Sequence, residues 1–67
     1  MSEDRLQMAR RHVIEGRRII AAQQELIARL RARGEDTSVD ERLLRRFEQN
    51  QTIFEEDLKT LEAKDQR

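Results

Sequence analysis

The chain has 67 residues, and its 14 basic and 14 acidic side chains balance to a formal net charge of zero. It contains no cysteine and no proline, which excludes a disulfide framework and a thiolate metal site and favours a reducing, cytoplasmic setting. The longest unbroken apolar run, residues 19–22, is far too short to cross a bilayer, so we expect no membrane partner.

The first half of the chain predicts one long helix. Its apolar residues recur in alternating steps of three and four, a period that places them along one narrow stripe of a helix. We predict that this helix spans about residues 2–33, with Ser2 as its N-cap. The stripe consists of Leu6, Ala9, Val13, Gly16, Ile20, Gln23, Ile27 and Leu30.

A turn is predicted after this helix. Gly34 suits the left-handed conformation that commonly ends a helix. Ser38 and Glu41 have the spacing of a capping box, in which each side chain accepts a hydrogen bond from the other residue's backbone amide. We therefore predict a turn over about residues 34–38 and a second helix over about residues 39–64.

The second helix carries a stripe of the same period, so we predict an all-α fold. The two stripes would pack as the coiled-coil-like seam of an antiparallel two-helix hairpin. The second stripe consists of Leu44, Phe47, Gln51, Phe54, Leu58 and Leu61. With the turn near residues 36–37, facing residues have numbers that add up to about 73, which places Gln23 opposite Gln51 or Asn50.

Charge is divided unevenly between the two halves. Residues 1–34 carry eight arginines against four acidic residues, whereas residues 35–67 carry six basic and ten acidic residues. Helices of opposite sign attract each other in a hairpin. Within the second helix, Glu41 and Glu55 lie four residues before Arg45 and Lys59, a spacing that favours ion pairs within one helix.

Further apolar residues indicate self-association. Ile19 and Leu26 lie on one flank of the first stripe, and a two-helix hairpin does not need them. A wider apolar stripe is typical of a four-helix arrangement, so we predict a homodimer that forms a four-helix bundle. Gly16 would be a notch at this contact, filled by Leu58 or by a bulky residue of the partner. The alternative is that another, unidentified protein docks a helix on the same flank.

A group of residues resembles a family of small proteins common in alphaproteobacteria. These residues are Arg11, His12, Val13, Glu15, Gly16, Ile20, Gln23, Ile27, Leu30, Gly34, Asp36, Thr37, Glu41, Leu43, Leu44, Phe47 and Glu48. The resemblance covers about residues 9–48 and implies a helical hairpin in a bacterial cytoplasm, without implying an activity. Members often carry histidines in the second half of helix two, where this chain has residues Phe54 to Asp57, so no role of those histidines is carried over.

The sequence predicts no catalytic, cofactor-binding or metal-binding residue. His12 is the only histidine, and no further ligand or acid stands at helical spacing from it to build a metal site or a general base. We therefore predict that the protein is not an enzyme and needs no cofactor. His12 is interpreted as a residue at the flank of the seam.

The arginines near the turn suggest an alternative function. They could contact the phosphates of a nucleic acid, but no aromatic residue outside the seam is available to stack on bases. We therefore predict an interaction protein that acts by self-association, with a small nucleic-acid-binding dimer as the alternative. The arginines in question are Arg29, Arg33, Arg42, Arg45 and Arg46.

Overall fold

The computed structural model describes residues 3–65, which form two helices packed against each other: α1 (Arg5–Ala32) and α2 (Ser38–Asp65). The described part of the chain contains no strand, so the predicted all-helical hairpin is confirmed. The molecule measures 52 × 22 × 14 Å, and its radius of gyration is 15.5 Å. A compact domain of this length would have a radius of gyration of about 11 Å, so the hairpin is markedly elongated.

Helix α1 begins at a different cap from the predicted one. Asp4 is the N-cap: its carboxylate accepts a hydrogen bond from the Gln7 amide at 2.8 Å, and the Gln7 side chain accepts one from the Asp4 amide at 3.3 Å. Ser2, the predicted N-cap, lies outside the described residues. A capping box needs an acceptor side chain three residues after the cap. Asp4 has Gln7 at that position, whereas Ser2 has Arg5, which can only donate.

Helix α1 ends at Ala32, and Gly34 takes the left-handed conformation just after it, as the sequence predicted. The Glu35 amide donates to the Leu30 carbonyl at 3.0 Å, and the Gly34 amide donates to the Arg31 carbonyl at 2.9 Å. These two bonds are those of a Schellman motif. Gly34 has a φ of 73°, a left-handed conformation that costs other residues roughly 1–2 kcal/mol. The glycine therefore lets the chain reverse with its last helical carbonyls satisfied.

Helix α2 begins at Ser38 and is capped by Thr37 and Asp36 rather than by the predicted box of Ser38 and Glu41. The Thr37 carbonyl accepts the first helical bond, from the Glu41 amide, at 2.8 Å, and the Thr37 hydroxyl donates to the Glu41 carboxylate at 2.9 Å. Asp36 accepts from the amide and the hydroxyl of Ser38, at 3.0 and 2.6 Å. The predicted capping box is therefore wrong by one residue, because Asp36 engages the Ser38 hydroxyl and Thr37 takes the cap position.

The cap of α2 should make stability depend on pH. The hydrogen bonds that Asp36 accepts from Ser38, mainly from its hydroxyl, hold the pKa of Asp36 below its usual 3.8. Because the folded state has the lower pKa, this stabilisation is full at neutral pH and is lost as the pH falls through the folded-state pKa. We expect Asp36→Ala to lower the thermal midpoint at pH 7 and to have much less effect in strong acid. Thermal unfolding followed by circular dichroism measures this difference, and an equal gap at both pH values would contradict it.

Candidate interaction surface

The seam between the helices buries few apolar side chains. Ala9, Val13 and Ile27 are the buried apolar residues of the described chain, and no large side chain there is fully buried. Gln23 and Gln51 are buried polar members of the same seam. The remaining predicted seam residues except Phe54 are half-buried, namely Ile20, Leu30, Leu44, Phe47, Leu58 and Leu61. A lone hairpin therefore has a narrow core.

Gln51 and Gly16 form the closest contact between the helices. The Gln51 amide nitrogen donates to the backbone carbonyl of Val13 at 2.9 Å. A Cβ atom added to Gly16 would overlap the Oε1 atom of Gln51. The Gln51 side chain therefore reaches the Val13 carbonyl only because Gly16 has no Cβ atom. This Oε1 atom is buried and accepts no conventional hydrogen bond. The weakly donating Cα–H group of Gly16 lies on that side.

These contacts correct two predictions about polar seam residues. Gln23 does not face Gln51 or Asn50: its amide donates to the backbone carbonyl of Asp40 at 2.9 Å. The Gly16 notch is filled by Gln51 of the same chain, and not by Leu58 or a partner. In both cases a glutamine reaches across the seam to a main-chain oxygen of the other helix, which fixes the register.

We expect Gly16→Ala to destabilise the protein, although alanine favours a helix by about 1 kcal/mol over glycine. The added methyl group would displace the Gln51 amide and leave buried polar atoms unpaired, at a cost of about 1–3 kcal/mol. In a Gln51→Ala background the same change should instead stabilise, because the obstruction is gone. Urea unfolding of the two single variants and the double variant, at one protein concentration, measures this coupling. Additive effects would show that the two residues do not interact.

One edge of the hairpin is closed by ion pairs between the helices. Arg10 pairs with Glu62 at 3.9 Å and Arg17 with Glu55 at 2.8 Å, and Arg31 pairs with Glu41. In each pair the two residue numbers add up to 72. We call this row of residues the charged edge. It also includes Gln24 and Glu48, which occupy the one position of the row without an ion pair. Its members repeat every seven residues: Arg10, Arg17, Gln24 and Arg31 on α1, and Glu41, Glu48, Glu55 and Glu62 on α2.

The charged edge was missed in the sequence, although the signal is there. Every seventh residue from Arg10 is basic except one, and every seventh residue from Glu41 is acidic. Glu41 and Glu55 were predicted to pair with Arg45 and Lys59 within α2. They pair instead with arginines of α1, which reach them across the seam.

The opposite side of the hairpin is apolar. At about 100° per helical residue, one side of the buried line holds the charged edge, and the other side holds a second set of residues on both helices. We call this set the apolar face: Met8, His12, Ile19, Leu26 and Leu30 on α1, and Val39, Leu43, Asn50, Phe54 and Leu61 on α2. Several members are well exposed, with 48% of Ile19 and 71% of Val39 accessible to solvent. The predicted flank residues Ile19 and Leu26 therefore lie on one continuous surface.

Phe54 belongs to this face and not to the seam. It is 36% exposed, and its ring lies 5.2 Å from the His12 ring at an angle of 42°. An open hollow beside the two rings is lined by Arg5, Met8, Ala9, His12, Asp57 and Leu61. Phe54 was predicted as a seam residue, but it lies at the rim of the seam, because Gln51 faces the seam directly and Phe54, three residues later, is turned about 60° from it. His12 lies at the flank, as predicted, where it extends the apolar surface with an aromatic ring.

Charged residues border the apolar face. By helical geometry at about 100° per residue, Arg46, Asp57 and Lys64 lie beside its members on α2, while Arg5, Glu15 and Arg33 lie beside those on α1.

The arginines proposed for nucleic acid do not form one patch. Arg42, Arg45 and Arg46 line an open hollow on α2, together with Val39, Leu43 and Gln49. No ion pair joins these three arginines to any residue of the described chain. By helical geometry at about 100° per residue, Arg29 lies on the outer side of α1 and Arg33 at the outer rim of the apolar face, both on the other helix from this hollow. The turn brings all five to one end but spreads them around it.

Comparisons with protein families, curated proteins and solved structures find no match to this chain. The resemblance to alphaproteobacterial hairpin proteins stays a prediction. Within residues 3–65, no three acidic or histidine side chains come together in a way that could hold a metal ion. Neither described helix is apolar over a stretch long enough to cross a membrane.

Proposed function

We propose that this protein is a non-enzymatic interaction module whose apolar face binds a second copy of itself. Two hairpins packed face to face would form a four-helix bundle with the charged edges outside. One observation carries this proposal: the two sides of the same hairpin differ. Ion pairs close one side, while exposed side chains such as Ile19 and Val39 occupy the other.

The surface area of the single chain supports a second copy as the occupant. The accessible surface is 5631 Å² for a mass of 8.0 kDa. A compact monomer of that mass would expose about 4,450 Å². The excess, roughly 1,200 Å², exceeds the about 800 Å² that each partner buries in a standard protein interface. A dimer would bring the chain back to the exposure of an ordinary folded protein.

A second copy also fits the face in length, because the face extends along both helices and another hairpin presents a surface of the same length. A helix from a different protein is the alternative partner, and it would cover only one groove of this face. The narrow core described above gives a further reason, because a lone hairpin of this size buries too little apolar surface for independent stability.

We expect the wild-type protein to be a dimer at micromolar concentration in sedimentation equilibrium. Ile19→Lys/Leu26→Lys should be monomeric and should lose much of its helicity, because folding and assembly are coupled. Ile14→Lys/Ala21→Lys is the matched control, since it adds the same two charges, also seven residues apart, to the outer surface of the same helix. The control should remain dimeric. A wild-type chain that is monomeric and fully helical would refute the proposal.

Nucleic-acid binding is the second candidate function. The observation that favours it is the hollow on α2, where Arg42, Arg45 and Arg46 have no ion pairs within the described chain. Guanidinium groups bind phosphates well, and such binding weakens steeply with salt. Against it stand the neutral net charge of the chain and the outward separation of Arg29 and Arg33. We therefore rank it second.

We expect no binding to a DNA or RNA ladder at about 150 mM salt, because the chain carries no net positive charge. Replacing Arg29, Arg33, Arg42, Arg45 and Arg46 with glutamine should leave the dimer nearly intact, since exposed charges contribute only about 0.2–1 kcal/mol each. Lysine at the same five positions serves as the charge-preserving control. Submicromolar binding that wild type and the lysine variant share, and the glutamine variant lacks, would promote the second candidate.

A further inference from the structure

His12 is the one member of the apolar face whose charge can change near neutral pH. The other members are apolar, apart from the uncharged amide of Asn50. Histidine is the side chain that ordinarily gains or loses a proton between about pH 5 and 8. The protonation of a single ring therefore decides whether the face itself carries a charge.

The His12 ring lies among apolar side chains. It is half-buried, its centroid lies 5.2 Å from that of the Phe54 ring, and Met8, Ala9 and Leu61 line the hollow beside the two rings. Within residues 3–65 no hydrogen bond or ion pair engages the imidazole. A protonated ring has two N–H donors, and in the free chain these depend on water.

The acidic residues near His12 on α1 are already engaged by Arg11. The Arg11 guanidinium donates to Glu3 at 2.6 and 3.0 Å and to Glu15 at 3.5 Å. The pKa of Glu3 is held below its usual 4.5, mainly by Arg11 and to a smaller extent by His12. Neither carboxylate is therefore free to give the imidazolium a close partner of its own.

Two further charged residues face the ring across the hollow. Asp57 comes from α2 and Arg5 from α1. Neither forms an ion pair with another residue of the described chain. The carboxylate of Asp57 favours a proton on His12 and the guanidinium of Arg5 opposes it, so their effects on the ring act in opposite directions.

We propose that protonation of His12 weakens self-association, so that the apolar face binds a second copy at neutral pH and releases it in mild acid. This inference rests on the self-association proposed above. Docking removes water from the ring, whichever part of the second copy covers it, and a buried cation without a partner is costly. Because the dimer favours the neutral ring, it binds fewer protons than two free chains. Its stability therefore falls as the pH falls.

We expect the dissociation constant to rise by about ten- to a hundredfold between pH 7.0 and pH 5.5. An ordinary histidine is about nine-tenths protonated at pH 5.5, so each ring that must be neutral for docking costs up to about tenfold. A dimer contains two such rings. Ordinary carboxylates have pKa values near 4 and stay charged across this range.

Sedimentation equilibrium at the two pH values and one ionic strength tests this inference. His12→Leu is the informative variant, because leucine keeps an apolar side chain at this position but cannot take up a proton. It should remain dimeric, and its dissociation constant should change by less than about twofold between the two pH values.

The outcomes separate the two proposals. A wild-type dissociation constant that changes by less than about threefold would overturn the role of His12 and leave self-association standing. An equal rise in wild type and His12→Leu would place the proton on another residue and would also overturn it. A wild-type chain that is monomeric at pH 7.0 would overturn both proposals.

Asp57→Asn tests whether the neighbouring carboxylate reverses the effect. We expect this variant to lose association in acid by about tenfold or more, because it lacks the carboxylate that could partner the charged ring. Glu56→Gln is the matched control, since it removes the same charge from the exposed position beside Asp57, and it should behave as wild type. Association that tightens in acid in wild type but not in Asp57→Asn would overturn the proposal, because Asp57 would then stabilise the protonated ring inside the contact.

Discussion

Two helices can share only one line of contact, and this constraint governs the whole molecule. Along that line the hairpin buries Ala9, Val13 and Ile27, and little else that is apolar. Everything beside the line must be either paired across the seam or left to solvent. The charged edge is the first solution and the apolar face is the second. The proposed bundle follows from that difference, because only the apolar face still has exposed apolar surface that a partner could bury.

Within the seam, main-chain hydrogen bonds determine the register more sharply than apolar packing does. Leucine and isoleucine side chains tolerate a shift of a few ångströms along a helix, since apolar contact is not directional. The amide of Gln51 does not, because it meets one carbonyl and needs Gly16 at that level. A buried polar group in a coiled-coil seam can fix register at a cost in stability. Here the orphaned Oε1 atom of Gln51 is a visible part of that cost.

Much of the fold could be predicted from the sequence because it depends on local chemistry. The three–four spacing of apolar residues gives two helices, and Gly34 gives the reversal between them. The N-cap of α2 could not be placed as well, since Thr37 and Ser38 are adjacent and either hydroxyl can cap a helix. The partner of Gln51 was out of reach for a different reason. Every residue has a backbone carbonyl, so the amino-acid sequence does not indicate which carbonyl a side chain will bind.

The apolar surface was predicted only in outline. Ile19 and Leu26 were recognised because they repeat at seven residues, whereas Phe54 was assigned to the seam because its spacing allows both positions. The numbers of facing residues were predicted to add up to about 73, whereas they add up to 72 at the charged edge and to 67 where Gln51 meets Gly16. This difference could not be read from the apolar spacing.

The charged edge also affects which helices can pair with each other. All its cationic members belong to one helix and all its anionic members to the other. Were α1 of one chain to pair through the seam with α1 of another, arginine would stand against arginine at successive steps, and glutamate would oppose glutamate for α2. Each correct pair stabilises the hairpin only modestly. The set nevertheless discriminates against these two pairings, because both meet repulsion where the native hairpin has attraction. The ion pairs thus favour the pairing of α1 with α2 over the pairing of two like helices.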